Sequence, residues 1–118
     1  MDKRGRPQKY RIVKQDPKIS QFSPRGKPGR PDEALLNIDE FEAIRLADFI
    51  GLSQREGAKS MHISQQTFSR IYNRGRKIVA GALVGGKTIK IQGGYYVISS
   101  RDEAHLHRDP QQIPTKKR

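Results

Sequence analysis

The sequence contains no cysteine and no tryptophan, and it has no long uninterrupted apolar run. The lack of cysteine excludes disulfides, thiolate nucleophiles and zinc sites built on cysteine. A membrane-spanning helix needs roughly 18 apolar residues or more, and a secretory signal needs a shorter apolar core, and neither is present. We therefore expect a cytoplasmic protein. With 33% hydrophobic residues in 118, one small domain with a modest core is expected.

Acidic residues are scarce in parts of the chain, and the net charge of +12 is unevenly spread. Residues 1–31 hold ten Lys and Arg against two acids, residues 32–84 hold seven of each, and residues 85–118 hold seven against three. No acidic residue lies between Gly57 and Arg101. This distribution favours a polyanionic partner, most often nucleic acid. A membrane surface fits poorly because the basic N-terminal region has no companion apolar helical face.

Two helix-start signals lie close together in the middle of the chain. Ser53 and Glu56 have the spacing of a capping box, and Ser64 can cap a second helix. The apolar positions between and beyond them predict two packed helices joined by the turn 62–64; they are Leu52, Ala58, Met61, Ile63, Phe68 and Ile71. This pattern is typical of a helix-turn-helix, whose second helix enters the major groove of DNA.

The second of these helices carries polar side chains on the face opposite its apolar positions. Gln can bond adenine, Arg can bond guanine, and Ser or Thr can reach base edges or phosphates. The predicted base-reading residues are Gln65, Gln66, Thr67, Ser69, Arg70 and Asn73. The predicted contacts to the DNA backbone or minor groove are Arg4, Arg6, Lys9, Arg11, Ser53, Ser64, Arg74, Arg76 and Lys77. The alternative is a helical hairpin with a solvated polar face.

The N-terminal segment 1–31 is predicted to be a basic arm rich in Pro and Gly. Arg4 to Pro7 reads R-G-R-P, the core of a minor-groove AT-hook, in which glycine permits close approach to an A·T tract. A true hook, a looser DNA-contacting arm and a solubilising tail all remain open. Four apolar residues could pin part of the arm to the domain, namely Ile12, Val13, Ile19 and Phe22. Residues 24–31 read as a loop or linker.

A first helix is predicted to begin after Asn37, with Glu40 at its third position, and to stop at Gly51. Its inward stripe should be Phe41, Ile44, Ala47 and Ile50. The nearby acids Asp32, Glu33, Asp39, Glu40 and Glu42 are interpreted as a structural cluster, three of them favoured by the helix dipole, rather than as a magnesium site. The third helix should continue to about Leu83, with Tyr72, Ile78, Val79 and Ala82 in the core. Gly57 and Gly75 are weak points within helices two and three.

Residues 88–99 change to a period of two, and Gly93-Gly94 resembles a two-residue turn, so a β-hairpin is predicted. An isolated hairpin is marginal, so it should either form a homodimer or pack within the monomer. The tail from Arg101 is polar.

Residues 81–88 match the phosphate-binding pattern G-x-x-x-x-G-K-[ST]. That mechanism needs a strand before the loop and a helix after it, and here the order is reversed. No nucleotide is therefore expected despite the match at Gly81–Thr88. His62, His105 and His107 are interpreted as surface histidines, so we expect no metal, no cofactor and no enzymatic activity.

Several blocks together resemble an uncharacterised family of short prokaryotic proteins. They are I-D-E-F-E-A-I-R-L-A-D (38–48), G-L-S-Q-R-E-G-A (51–58), M-H-I-S-Q-Q-T-F-S-R-I (61–71) and L-V-G-G-K-T-I-K-I-Q-G-G-Y (83–95), within a likeness that covers roughly residues 4–95. The resemblance implies a helix-turn-helix like that of the promoter-reading domain of sigma factors, and a role in transcription. Two positions depart from the family pattern: Gly57 stands where Ala is usual, and Gln65 where Arg is common.

The sequence as a whole predicts a mostly α, three-helix, sigma-factor-like domain of winged-helix type, followed by a small β-hairpin and flanked by disordered basic termini. The expected divisions are an arm at 1–31, the DNA-binding domain at 32–84, the hairpin at 85–100 and the tail at 101–118. The expected function is sequence-specific binding of double-stranded DNA in transcription regulation. The alternative is an RNA- or ribosome-associated basic protein.

Overall fold

The computed structural model describes residues 10–26 and 29–99 of the chain. The predictions for Arg4, Arg6, Lys9, the disordered termini and the tail with His105 and His107 lie outside these residues. Three helices and five short strands, numbered in chain order, make up the described part. Within it, no helix combines the length and the apolar character needed to cross a membrane.

The first helix, α1 (Ile38–Ile44), begins where the capping pattern predicts. The backbone N–H of Asn37 donates to Glu40 Oε1 at 2.9 Å, which completes one half of the capping box. The helix then continues as a π-helix over Arg45–Ile50 and ends at Gly51, whose φ is 93°. The predicted inward position of Ile50 is wrong, because the wider π turn rotates the helix face: Ile50 is 40% exposed, and Leu46 is buried.

The next two helices also begin and end at their predicted signals. In α2 (Gln54–Met61), the Ser53 hydroxyl accepts from the Glu56 N–H at 3.0 Å, and Glu56 accepts from the Ser53 N–H at 2.9 Å. His62 closes α2 in the left-handed conformation, at φ 57°. Ser64 then accepts from the Thr67 N–H at 3.0 Å and opens α3 (Gln65–Gly85). The sequence therefore identifies both caps and the three-residue turn correctly.

The helices share one apolar core in which α2 and α3 approach closely. Its buried members are Ala43, Leu46, Ala58, Met61, Phe68, Ile71 and Tyr72, with the predicted Leu52 and Ile63 at its margin. A Cβ added to Gly57 would lie 2.6 Å from Cζ of the fully buried Phe68, so only glycine fits at this crossing. At Gly75, an added Cβ would lie 3.1 Å from Cβ of Glu40, which sets the contact between α3 and α1.

The strands join distant parts of the chain. They are β1 (Arg11–Val13), β2 (Gln21–Phe22), β3 (Glu33–Leu36), β4 (Thr88–Ile91) and β5 (Tyr96–Ile98). In one sheet, β4 lies between an antiparallel β2 and a parallel β3. In the other, β1 pairs in parallel with β5, so that Arg11 lies opposite Tyr96.

The predicted hairpin is therefore wrong, because β4 and β5 belong to different sheets and do not pair with each other. Gly93 and Gly94 do have positive φ values, of 80° and 101°. However, the Gly93 carbonyl accepts from the Ile38 N–H at 2.9 Å, so this segment runs against the start of α1 instead of reversing between strands.

The region predicted as a basic arm is in part built into the body, as the apolar residues expected to pin it to the domain suggested. Val13 is completely buried with Leu36, Ile38 and Ile91 in a second core cluster. Ile19 and Phe22, by contrast, are more than half exposed. Strand pairing also draws residues 11–22 onto segments near the other end of the chain. The segment rich in Pro and Gly therefore contains short strands at the edge of the body as well as a linker.

Candidate nucleic-acid interface

One long face of α3 points away from the protein. Successive residues of an α-helix are rotated by about 100°, so Gln66, Asn73 and Lys77 lie almost in line. All three are exposed, whereas Phe68 and Gly75 on the opposite side are buried. The apolar side of α3 rests on α1 and α2, which leaves the polar side available to a partner.

The first two turns of this face carry unpaired polar groups. Gln65, Gln66 and Arg70 are exposed, and their side chains make no hydrogen bond or ion pair with another described residue. Thr67 and Ser69 are half-buried and locally engaged: the Ser64 hydroxyl donates to Thr67 Oγ1 at 2.9 Å, and the Asn73 amide donates to Ser69 Oγ at 3.4 Å. The strongest free donors and acceptors are therefore two amides and one guanidinium.

Further along α3, three exposed cations differ in how they are held. Arg74 Nε lies 3.5 Å from Glu40 Oε2. Arg76 Nε lies 3.5 Å from Asp48 Oδ2, and its guanidinium lies 5.2 Å from the centre of the Tyr72 ring. Lys77 has no partner among the residues described.

Tyr72 helps to hold the group around Arg76. Its hydroxyl donates to Asp48 Oδ1 at 2.6 Å, and this hydrogen bond, together with burial, raises the pKa of Tyr72 above its ordinary value. Asp48 therefore accepts from the phenol while it pairs with the guanidinium. The arrangement restricts the side chain of Arg76 before any partner binds.

Three acids near the start of α1 are buried, which the sequence analysis missed. Glu42 is completely buried, with Arg45 Nε at 2.8 Å, Arg45 Nη2 at 2.9 Å and the Lys14 N–H donating at 3.0 Å. Burial raises the pKa of Asp39, and Arg11 opposes that rise. Burial likewise raises the pKa of Glu40. Within the described ranges, no three His, Cys, Asp or Glu side chains are grouped as metal ligands would be.

Besides Arg74 and Arg76, three more of the predicted backbone-contacting residues have structural partners. Arg11 is a strand residue whose side chain is only 13% exposed, and its Nε lies 3.4 Å from Asp39 Oδ2. Ser53 and Ser64 are exposed, but their hydroxyls accept the cap hydrogen bonds of α2 and α3. A signal for the Arg11–Asp39 pair was available in the sequence only as two opposite charges 28 residues apart.

An open cleft of about 400 Å³ borders the exposed face of α3. Arg70 and Arg74 form one side of it, Asp39 lies at the start of α1, and Arg11 and Tyr95 complete the rim. Close to Gly94, Asp39 Oδ1 is buried and has no hydrogen-bond partner within residues 10–26 and 29–99; an added Cβ on Gly94 would lie 2.9 Å from this atom. The cleft thus connects the exposed helix to the paired strands β1 and β5.

The segment that matches a phosphate-binding loop has a different structure. Gly81 lies in the last turns of α3, which ends at Gly85, and Thr88 begins β4. No helix N-terminus follows the glycines within the described residues, so their amides are not arranged as that mechanism requires.

Comparison with known proteins places the chain in a family. The family model described as "Protein of unknown function DUF134" matches residues 1–99. The chain belongs to the DUF134 family. This DUF134 chain is similar to "UPF0251 protein" of Prosthecochloris aestuarii, at 46% identity over 100 residues, covering 84% of this chain and 63% of the relative.

Two further relatives of this DUF134 chain show different coverage. The UPF0251 protein of Thermoanaerobacter pseudethanolicus is 46% identical over 99 residues, covering 83% of this chain and 84% of the relative. The UPF0251 protein of Chlorobaculum tepidum is 48% identical over 98 residues, covering 82% of this chain and 50% of the relative. The chain thus spans from half to most of the length of these relatives. No solved structure matches it.

Proposed function

We propose that the chain binds double-stranded DNA in a sequence-specific manner and regulates transcription. In this proposal α2, the turn 62–64 and α3 form a helix-turn-helix of the sigma-factor type, and α3 enters the major groove. The observation that carries the proposal is that Gln65, Gln66 and Arg70, on the first two turns of α3, are exposed and have no side-chain partner among the described residues. The opposite side of these turns packs into the core, which fixes their position.

The chemistry of this face suits base edges. A Gln amide can bond adenine with two hydrogen bonds, and a guanidinium can do the same with guanine. Lys77 and the restrained Arg76 extend along the same helix and suit phosphates. No acidic residue lies on α3 or follows it as far as residue 99, and the two acids that approach its exposed cations, Glu40 and Asp48, lie within 3.5 Å of Arg74 and Arg76.

The proposed binding mode does not include the wing of a winged-helix domain. A winged-helix domain uses a β-hairpin beside its reading helix, and β4 and β5 do not pair with each other. Base reading is therefore assigned to α3, with Thr67, Ser69 and Asn73 in supporting positions beside the free amides. The homodimer also remains a prediction, which symmetry in selected binding sites would support.

The experiment is selection of bound sequences from a random duplex pool, followed by affinity measurement with Arg70→Ala. We expect this variant to lose about 1–3 kcal/mol on the selected site and little on random duplex. Lys18→Ala removes the same charge from an exposed position outside α3 and serves as the matched control. Equal weakening by Arg70→Ala on both duplexes would show that Arg70 contacts only phosphate.

The same protein is then offered folded RNA as a competitor. The proposal requires the selected duplex to win this competition at equal nucleotide concentration. Stronger binding to folded RNA, or failure to enrich any duplex sequence, would contradict sequence-specific DNA binding. Salt dependence alone does not separate the two, because both partners are bound through phosphates.

A further inference from the structure

The end of α3 is apolar on every side, but the body covers only one of those sides. Residues 78–86, which we call the apolar end of α3, include no charged side chain and no hydrogen-bonding side chain. Ala82 is buried, whereas Leu83 is 74% exposed and Val84 is 90% exposed. A helix that is apolar all round is ordinarily buried. The apolar end of α3 is therefore a surface that the described part of the chain leaves largely uncovered.

A groove beside this turn extends the apolar surface onto the neighbouring sheet. The groove has a volume of about 270 Å³ and lies between α3 and β3. Leu35 of β3, which is 52% exposed, contributes to its lining together with Ile78 and Ala82 of α3. β3 is also an edge strand of its three-stranded sheet. Apolar side chains beside a sheet edge are a surface that proteins usually cover with another element or another chain.

The apolar end lies at a fixed distance from the candidate reading turns, because both belong to one helix. At about 100° per residue, Val84 lies in line with Gln66 and Lys77 on α3. Arg70 precedes Val84 by fourteen residues, which at 1.5 Å per residue is about 21 Å along the helix. A second copy joined at Val84 therefore holds the two sets of reading turns at most about 42 Å apart.

This distance suits a dimer that binds two half-sites. Dimeric helix-turn-helix proteins bind half-sites whose centres are about 34–36 Å apart, one turn of DNA. If each α3 is inclined by about 35° to the line between the half-sites, the separation falls from about 42 Å to about 34 Å. The same incline lifts the apolar end out of the groove, where its side chains have no group to offer to phosphates or base edges.

The charges around the apolar end also favour contact between two copies, in spite of the net charge of +12. Residues 78–86 carry no charge, so the centre of the contact brings no like charges together. At its rim, Lys77 and Lys87 line the groove, and the exposed Asp32 lies just before β3. A two-fold axis sets one surface patch against the same patch of the second copy. Across that axis the acid of one copy can face the lysines of the other.

We propose that the apolar end of α3 and the groove beside β3 form a two-fold homodimer interface near Val84, which holds two copies of the reading helix on half-sites one DNA turn apart. The spacing of the half-sites rests on the proposed function. The dimer itself is a property of the protein alone and is measured without DNA.

The first test is sedimentation equilibrium of the full chain. We expect the parent to have twice the 13.4 kDa mass of one chain, and Val84→Asp to have the mass of one chain, because the interface would bury an unpaired carboxylate. Phe49 is 82% exposed at the end of the π-helix, so Phe49→Asp is the matched control and should remain dimeric. Parent-like circular dichroism checks that both variants fold. A parent with the mass of one chain at every concentration, or a dimeric Val84→Asp, would overturn the inference.

The second test uses the absence of cysteine from the chain. Val84→Cys introduces a single thiol near the proposed axis, and a disulfide requires two Cα atoms within about 7 Å of each other. Mild oxidation should therefore join two copies of Val84→Cys much faster than two copies of Phe49→Cys. Equal rates for the two variants would mean that chance collisions join them, and the interface would be placed wrongly.

The duplexes selected from a random pool separate this inference from the proposed function. The parent should select inverted repeats with centres one helical turn apart, and Val84→Asp should match the parent on a single half-site but bind the full repeat about a hundredfold more weakly. If Arg70→Ala abolishes sequence preference but the selected sites lack symmetry, the proposed function stands and this inference fails. If Val84→Asp breaks a dimer that enriches no duplex sequence, the proposed function fails and the interface remains.

Discussion

Replacement of Gly57 by Ala tests how tightly α2 and α3 are packed. An added Cβ would lie 2.6 Å from Cζ and 2.7 Å from Cε1 of Phe68, where ordinary contacts begin at 3.4 Å. Relief of the clash requires the ring or the helix to move by about 0.8 Å. Phe68 is completely buried, so its ring has no open space to move into.

The expected change in stability follows from two opposing contributions. Overpacking of a core typically costs about 1–3 kcal/mol. Ala in place of Gly inside a helix contributes up to about 1 kcal/mol in the other direction. We therefore expect Gly57→Ala to lower the free energy of unfolding by about 1–2 kcal/mol. For a domain of this size that corresponds to a fall in Tm of about 4–16 °C.

The assay is urea unfolding of the full chain, with far-ultraviolet circular dichroism as the signal that reports loss of helix. Gly81→Ala is the matched control, because its added Cβ meets nothing within 4 Å, and it should stabilise α3 by about 0.5–1 kcal/mol. In a Phe68→Leu background, the penalty of Gly57→Ala should shrink or change sign. A parent-like or higher stability for Gly57→Ala alone would refute the packing explanation.

Other expectations concern the buried ion pair, the phenol and the phosphate contacts. Glu42→Gln should lower the free energy of urea unfolding by about 3 kcal/mol, since it leaves Arg45 without its carboxylate. Glu33→Gln, at an exposed ion pair, should lower it by under about 1 kcal/mol. Equal losses in the two variants would contradict the role of burial. Because the pKa of Tyr72 is raised in the folded protein, the contribution of its phenol to stability is complete below the unfolded pKa near 10. That contribution is lost as pH rises through the folded pKa. Tyr72→Phe should therefore flatten the fall in stability above about pH 10. Lys77→Ala should weaken binding to all duplexes alike and reduce the salt slope by about one; a change in sequence preference would place it on a base.

The helical part of the fold could be predicted from local signals. Asn37, Ser53, Ser64 and Gly51 mark helix boundaries through hydrogen bonds made within a few residues, and the structure has helices at those places. The candidate face of α3 follows from the same periodicity. A π-helix is not encoded in that periodicity, so the outward turn of Ile50 could not be foreseen.

The strand pairing could not be predicted in the same way. Gly93 and Gly94 have the composition of a hairpin turn, but the partners of β4 and β5 lie more than 50 residues earlier in the chain. Burial of Glu42 is another non-local property, because it depends on the Lys14 backbone passing over α1 as well as on Arg45 one turn away. A sequence pattern shows that a residue is acidic, but it does not show that a distant strand will cover it.

The central place of β4 in its sheet determines the order in which a newly made chain can mature. The two strands on either side of it, β2 and β3, leave the ribosome more than 50 residues earlier and have no sheet partner until Ile91 has emerged. The helices rely on nearby residues and can assemble first, while β2 and β3 wait for β4. A chain interrupted just before Thr88 would therefore hold complete helices beside unpaired strand edges, a form exposed to aggregation and proteolysis.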